Sequence, residues 1–192
     1  VSVYHRILPD RRNQPLLDPD FPTYNFDALY GLTYEIDLRP PPRYTPSGVL
    51  RHNDARRIRD LRHENRPVAD TDQFLVATDS HRAASFTFNP GARVLHFPQN
   101  ARDMLISAIR GKGTITPQLW PVWHFAPIRG AEIWFDTAPA ARACVQDLSR
   151  LGLVAGAITP EGYLRIRMDF TAPGSVEPAQ QPVFRRAFGQ TR

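Results

Sequence analysis

The run VATDSHRAASF, residues 76–86, crowds a carboxylate, a hydroxyl, an imidazole and a guanidinium into Asp79-Ser80-His81-Arg82. An imidazole and a guanidinium are both flat cations or near-cations, able to stack on a ring or to hold an anion. Because the knot follows an apolar run, it is either the cap of a buried strand or the rim of a ligand pocket. Two aromatic clusters carry the same kind of chemistry. FPTYNFD holds Phe21, Tyr24 and Phe26, and LWPVWHF holds Trp120, Trp123 and Phe125. Rings on proline-stiffened loops can stack a heterocycle, worth about 1–3 kcal/mol per base. They serve equally well as plugs at the ends of a core.

Other chemistries find little support. The six histidines, His5, His52, His63, His81, His96 and His124, are widely spaced, and no H-x-H or H-E-x-x-H pattern occurs. No metal ligand is therefore assigned. Without a G-x-S-x-G elbow, a glycine-rich phosphate loop or a partnered cysteine nucleophile, no catalytic residue is assigned either.

The positioning elements can be read from periodicity. GLTYEIDLR alternates, with Leu32, Tyr34, Ile36 and Leu38 on one face and Thr33, Glu35, Asp37 and Arg39 on the other, which predicts a half-buried strand. The prolines of RPPPRYTPSG then force a loop. DARRIRDLRHENRPV is compatible with helical spacing, but Glu64-Asn65 between short runs favours strand–turn–strand. QFLVATD is expected as a short buried strand leading into the knot. NARDMLISAIRGKG predicts a helix capped by Asn100, with Met104, Leu105, Ala108 and Ile109 as its apolar stripe and Gly111 as its end. AEIWFDTA reads as a strand, and PAARACVQDLSRLG as a helix from Pro139 to Gly152 that buries Ala141, Val145, Leu148 and Leu151. GYLRIRMDF predicts a strand with Leu164, Ile166, Met168 and Phe170 inward. The sum is an α+β domain of mixed, mostly antiparallel sheets with flanking helices.

At 192 residues and 42% hydrophobic content the chain can build one full domain with a real core. The net charge of +5 is almost all arginine, Lys112 being the only lysine. The densest cluster, Arg51 to Arg66, alternates with Asp54, Asp60 and Glu64, which reads as a solvated face rather than a nucleic-acid stripe. The lone Cys144 excludes an internal disulfide and is expected to be a small core residue on the second helix. No apolar run reaches the ~18 residues of a membrane span, and no signal peptide is recognisable. The chain starts at Val1 without the character of a domain start, which suggests a piece of something longer.

The same stretches carry a family likeness. FPTYNFDALYGLTYEIDLRPPPRY, then ARRIRDLRHENRPV, QFLVATDSHRA and WHFAPI, resemble the C-terminal domain of bacterial 2′,3′-cyclic-nucleotide 2′-phosphodiesterase/3′-nucleotidases, within the 5′-nucleotidase superfamily. The likeness runs in order from about Pro15 to Phe170. It implies a layered α/β/β/α domain over residues 1–170, truncated at its N-terminus, and a Pro/Gly-rich tail over 171–192. In that family an N-terminal metallophosphatase domain holds two divalent metal ions and performs hydrolysis, and the C-terminal domain grips the nucleoside between aromatic rings. The resemblance therefore implies a nucleoside or nucleotide ligand and an intramolecular metallophosphatase partner. It implies no cofactor in this chain, no nucleic-acid polymer, and a periplasmic or cell-surface parent.

Site residues carry over unevenly. The family's base-stacking segment usually reads Asn-Tyr-Arg-Ala, one residue, then Gly-Gly. Here Arg82 and Ala83 match, His81 replaces the tyrosine, and Ser85-Phe86 replaces the glycine pair. Glycines allow positive φ and close approach to a ligand, so Ser85 and Phe86 alter the rim. Phe86 or Phe88 could supply a ring from a rebuilt loop, and Phe26 stands where related 5′-nucleotidases place a base-contacting phenylalanine. The competing expectation is a non-enzymatic structural or interaction module with a degenerate pocket.

Overall fold

Strand alternation, turn chemistry and one capped helix account for most of the architecture. The computed structural model describes residues 1–22, 26–84, 95, 98–116, 121–144, 149 and 152–171. The chain divides into two units, Val1–Val68 with Trp120–Arg192, and Ala69–Leu119.

The first unit holds two four-stranded sheets among the described residues. The strands are β1 (Gln14–Pro15), β2 (Thr33–Ile36), β3 (Ile58–His63), β4 (Arg66–Pro67), β5 (Trp123–Phe125), β6 (Glu132–Thr137), β7 (Leu153–Ile158) and β8 (Leu164–Asp169). One sheet runs β1-β6-β8-β7 and the other β4-β3-β2-β5. Each is mixed, with a single parallel pairing (β1 with β6, β2 with β5) beside antiparallel ones. The α+β class is borne out.

Their inner faces share a core in which Ile7, Ile36, Leu38, Ile133 and Phe170 are fully buried. The predicted alternation holds: Tyr34, Ile36 and Leu38 from GLTYEIDLR and Leu164, Ile166 and Phe170 from GYLRIRMDF are buried. Burying a side chain of this size is worth about 1.5–3 kcal/mol, enough to set strand register. The hairpin reading of HENR also holds. Glu64 and Asn65 both take positive φ, 50° and 63°, the pairing a two-residue type I′ turn needs between His63 and Arg66.

The proline-punctuated opening segment has little regular structure, yet Val3, Tyr4, Ile7 and Leu16 are core residues. Backbone bonds explain it: the Ile7 amide donates to Leu38 O, two residues past β2, and the Leu16 amide to Trp134 O of β6. Near it, Gly130 takes φ +64° where an added Cβ would lie 2.5 Å from Asp10 Oδ1, so only glycine fits that turn.

The second unit contains α1 (Ser80–Ala84) and α2 (Ala101–Lys112). Asn100 caps α2 as predicted, its side chain accepting from the Asp103 amide, but the helix runs past Gly111 and ends on Gly113 at φ 69°. The expected stripe of Met104, Leu105, Ala108 and Ile109 is exposed. QFLVATD forms no strand, and Phe74, Leu75 and Val76 are exposed at 42%, 70% and 57%. β-forming residues supply propensity, but a strand exists only through a ladder, and this run joins neither sheet.

Two expectations near the C-terminus are corrected. Pro139–Cys144 is a 3₁₀ helix, and Cys144 is exposed rather than core. A 3₁₀ turn stacks every third residue, so the α-helical stripe assumed for Cys144 does not form there. Val145, Leu148 and Leu151 lie outside the described residues, as does the tail from residue 172.

Candidate functional site

The knot at residues 79–84 is built locally. Asp79 caps α1: its Oδ1 accepts from the Arg82 amide at 2.7 Å, and its carbonyl from the Ala83 amide at 3.0 Å. A short polar side chain before a helical turn takes this role because it satisfies otherwise orphaned amides. The turn leaves His81 exposed and Arg82 half-buried. Successive helical residues lie about 100° apart, so the two side chains leave the turn in different directions. Ser85, Phe86 and Phe88 lie outside the described residues.

Phe26 belongs to the other unit and sits within a herringbone of rings. It meets Tyr4 edge-on at 5.6 Å and Trp123 at 5.6 Å. Tyr4 and Trp123 in turn meet Phe125 at 5.2 and 5.0 Å, and Phe125 meets Phe170 at 5.0 Å. Such ring contacts, T-shaped except for the tilted Phe125–Phe170 pair, are worth about 0.5–1.5 kcal/mol each beyond buried area. Burial in this cluster pushes the Tyr4 hydroxyl up to about 12. Phe26, partly buried, is thus a component of core packing. Tyr24 and Trp120 lie outside the described residues.

The charged cluster missed by the sequence reading is at the end of β2. Asp37 belongs to the polar face of the alternation, yet its side chain is fully buried. Arg39 Nε and Nη2 donate to its carboxylate at 2.9 and 2.8 Å, the Arg39 amide at 3.0 Å, and Arg59 Nη2 lies 2.9 Å away. Burial alone would raise its pKa, but the Arg39 hydrogen bonds and the charges of Arg39 and Arg59 outweigh it, holding the carboxyl below the usual range. Next to it Arg57, expected on a solvated face, is 5% exposed. Its guanidinium donates to the carbonyls of Tyr4 (2.7 Å), Val1 (3.1 Å) and Pro40 (2.9 and 3.0 Å). Burial pulls it down to about 10, so it stays charged at neutral pH. The only hint in the sequence was the density of arginines around one aspartate after a strand. Arg57 is a clamp on backbone carbonyls, while Arg39 and Arg59, each half exposed, neutralise the buried Asp37 carboxylate.

On the same sheet His124 Nε2 lies 3.5 Å from Glu35 Oε1, set there by the β2–β5 register. Among the described residues no three of His, Cys, Asp and Glu gather as metal ligands, and no helix is long and apolar enough to cross a membrane.

Comparison with known proteins adds what geometry does not. The chain is 28% identical over 170 residues to the trifunctional nucleotide phosphoesterase protein YfkN of Bacillus subtilis, covering 86% of this chain and 12% of that protein. It is 33% identical over 142 residues to the 2′,3′-cyclic-nucleotide 2′-phosphodiesterase/3′-nucleotidase of Haemophilus influenzae, and 33% over 141 residues to that of Yersinia enterocolitica. Each of those two matches covers 68% of this chain and 22% of the relative. No family model matches the chain, and no solved structure is a significant match. The chain thus spans less than a quarter of the length of these relatives. Over about two thirds of its length, the chain is a relative of the bacterial 2′,3′-cyclic-nucleotide 2′-phosphodiesterase/3′-nucleotidases.

Proposed function

We propose that residues 1–170 form the nucleotide-gripping domain of a metal-dependent nucleotide phosphohydrolase of the 2′,3′-cyclic-nucleotide 2′-phosphodiesterase/3′-nucleotidase type. The observation that carries this reading is the match of most of the chain to one portion of proteins named for nucleotide phosphoester hydrolysis. In this reading His81 stacks the base and Arg82 orients it, with Ser85, Phe86 or Phe88 completing the rim, and Phe26, in the other unit, is a separate candidate for a ring contact. An adjoining metallophosphatase domain, holding two divalent metal ions, performs the hydrolysis. Two metals stabilise attacking and leaving oxygens, while binding of the non-reacting base supplies positioning. The parent protein works in the periplasm or at the cell surface.

The test uses the parent protein with its catalytic domain and added Mn²⁺. It is expected to hydrolyse 2′,3′-cyclic AMP or 3′-AMP, and His81→Ala is expected to raise KM about tenfold or more, as loss of a stacked base predicts. A metal-loaded parent inert on every nucleotide sinks the assignment.

A second reading, a non-enzymatic module of the same fold, has one observation in its favour. The Phe26 ring is engaged edge-on by Tyr4 and Trp123, which makes it a packing residue first. Calorimetry of the parent with adenosine and 3′-AMP separates the two, since no heat at millimolar ligand favours the module.

A further inference from the structure

The outer face of the β1-β6-β8-β7 sheet carries a charged groove, with the Trp134 ring stacked on one of its lining arginines, that the reading above does not use. The β6–β8 register sets Trp134 opposite Arg167 and Asp136 opposite Arg165. The Arg165 guanidinium lies 3.7 Å from the Trp134 ring centroid. Its Nε and Nη2 donate to Asp136 Oδ1 and Oδ2 at 2.8 and 2.9 Å. One face of the guanidinium is therefore spent on the indole and one edge on the carboxylate, which fixes its plane in advance of any ligand. The side chain is still 37% exposed.

Arg165 also lines an open groove of about 550 Å³, together with Gly156, Thr159, Glu161 and Arg167. Gly156 lets β7 lie close against β8 at this point, because a Cβ there would lie 3.1 Å from Arg165 O and 3.7 Å from Arg165 Cβ. Arg167 is exposed. Its charge is felt at Glu132, whose carboxyl is held low first by the Arg12 hydrogen bond and then by the charges of Arg12 and Arg167. Residues two apart on a strand share a face roughly 7 Å apart, a gap that a ring carrying a phosphate can bridge.

We propose that this groove binds a flat aromatic anion of the nucleoside-monophosphate class. The ring lies on the open face of Arg165, completing a Trp134–Arg165–ring stack, and the phosphate pairs with Arg167. Glu161 on the lining disfavours a bare anion with no ring to stack. The proposal uses no residue of the Asp79–Ala84 turn and stands independently of the role given to His81.

The Trp134 indole N–H, which donates to Asn13 O at 3.3 Å, is the reporter. In the full ¹⁵N-labelled chain its signal is assigned with Trp134→Phe and followed on titration with AMP, adenosine and inorganic phosphate. AMP is expected to move it saturably. Arg167→Ala is expected to weaken AMP about tenfold or more with little effect on adenosine, as loss of a charge-assisted bond predicts. Arg165→Lys, which keeps the charge and loses the plane, is expected to weaken both ligands. His81→Ala is expected to leave every titration unchanged. The proposal is overturned if millimolar AMP leaves the signal still, or if phosphate moves it as AMP does. It is equally overturned if Arg167→Ala has no effect, or if His81→Ala abolishes the response. Arg167 is exposed, so its variant carries the test even if Arg165→Lys perturbs the sheet.

Discussion

The sheet unit and the Ala69–Leu119 unit have equally clear local patterns and opposite fates. In the first, alternating residues such as Ile36, Ile166 and Phe170 are sealed from solvent. In the second, no described residue is buried, although α2 has a well-formed cap and an apolar stripe. Periodicity thus specifies which face of an element is apolar, and a partner surface decides whether that face becomes core. Helices of this length draw most of their stability from such packing.

The largest effect expected from this contrast is on core truncation. Phe170→Ala should cost about 3–5 kcal/mol in urea unfolding, whereas Ile109→Ala on α2 should stay within about 0.5 kcal/mol. Equal costs would show that α2 is packed as tightly as the sheets, and the contrast would be gone.

Asp37→Ala comes next, at about 1–3 kcal/mol, because it removes the acceptor of the three Arg39 hydrogen bonds and the carboxylate beside Arg59. Removing the exposed partner of an ordinary surface pair, as in Asp60→Ala, should leave the melting curve nearly in place. The same cluster sets an acid limb. Asp37 has a folded pKa below its unfolded value. Its contribution is therefore complete above the unfolded value of about 3.9 and is lost as pH falls through the folded pKa. Stability measured from pH 6 downward should decline below about pH 4, and Asp37→Asn should make that decline shallower. An unchanged slope would assign the acid limb to other carboxylates.

The smallest effect belongs to the α2 cap. Asn100→Ala removes the bond to the Asp103 amide at 2.9 Å and should cost that helix about 1 kcal/mol. Amide exchange within Ala101–Lys112 should quicken while exchange in β6 and β8 is unaltered. Quickening in the strands as well would mean that the two units unfold together.

The candidate site was legible only as a list of residue types, and its weak points have physical causes. The knot stood out as a polar run after an apolar one, but its helical turn, capped by Asp79, was not foreseen. Phe26 could be flagged as an aromatic near a strand, but its neighbours Tyr4 and Trp123 are distant in sequence. The carboxylate of Asp37 was assigned to the wet face because alternation carries no information about what covers that face. β7 went unread because LVAGAI has neither alternation nor a strong β signal; it is a strand because β8 offers it an edge.

Sequence alone determined the elements whose causes lie within a few residues: the alternating faces of β2 and β8, the Glu64-Asn65 turn and the Asn100 cap. It also carried the kinship with nucleotide phosphoesterases. Tertiary structure decided what is buried. The Arg57 guanidinium reaches back to Val1 and Tyr4, and the opening segment is drawn into the core beside Leu38 and Trp134. Desolvation and hydrogen-bond satisfaction depend on neighbours far along the chain, and no local pattern encodes them.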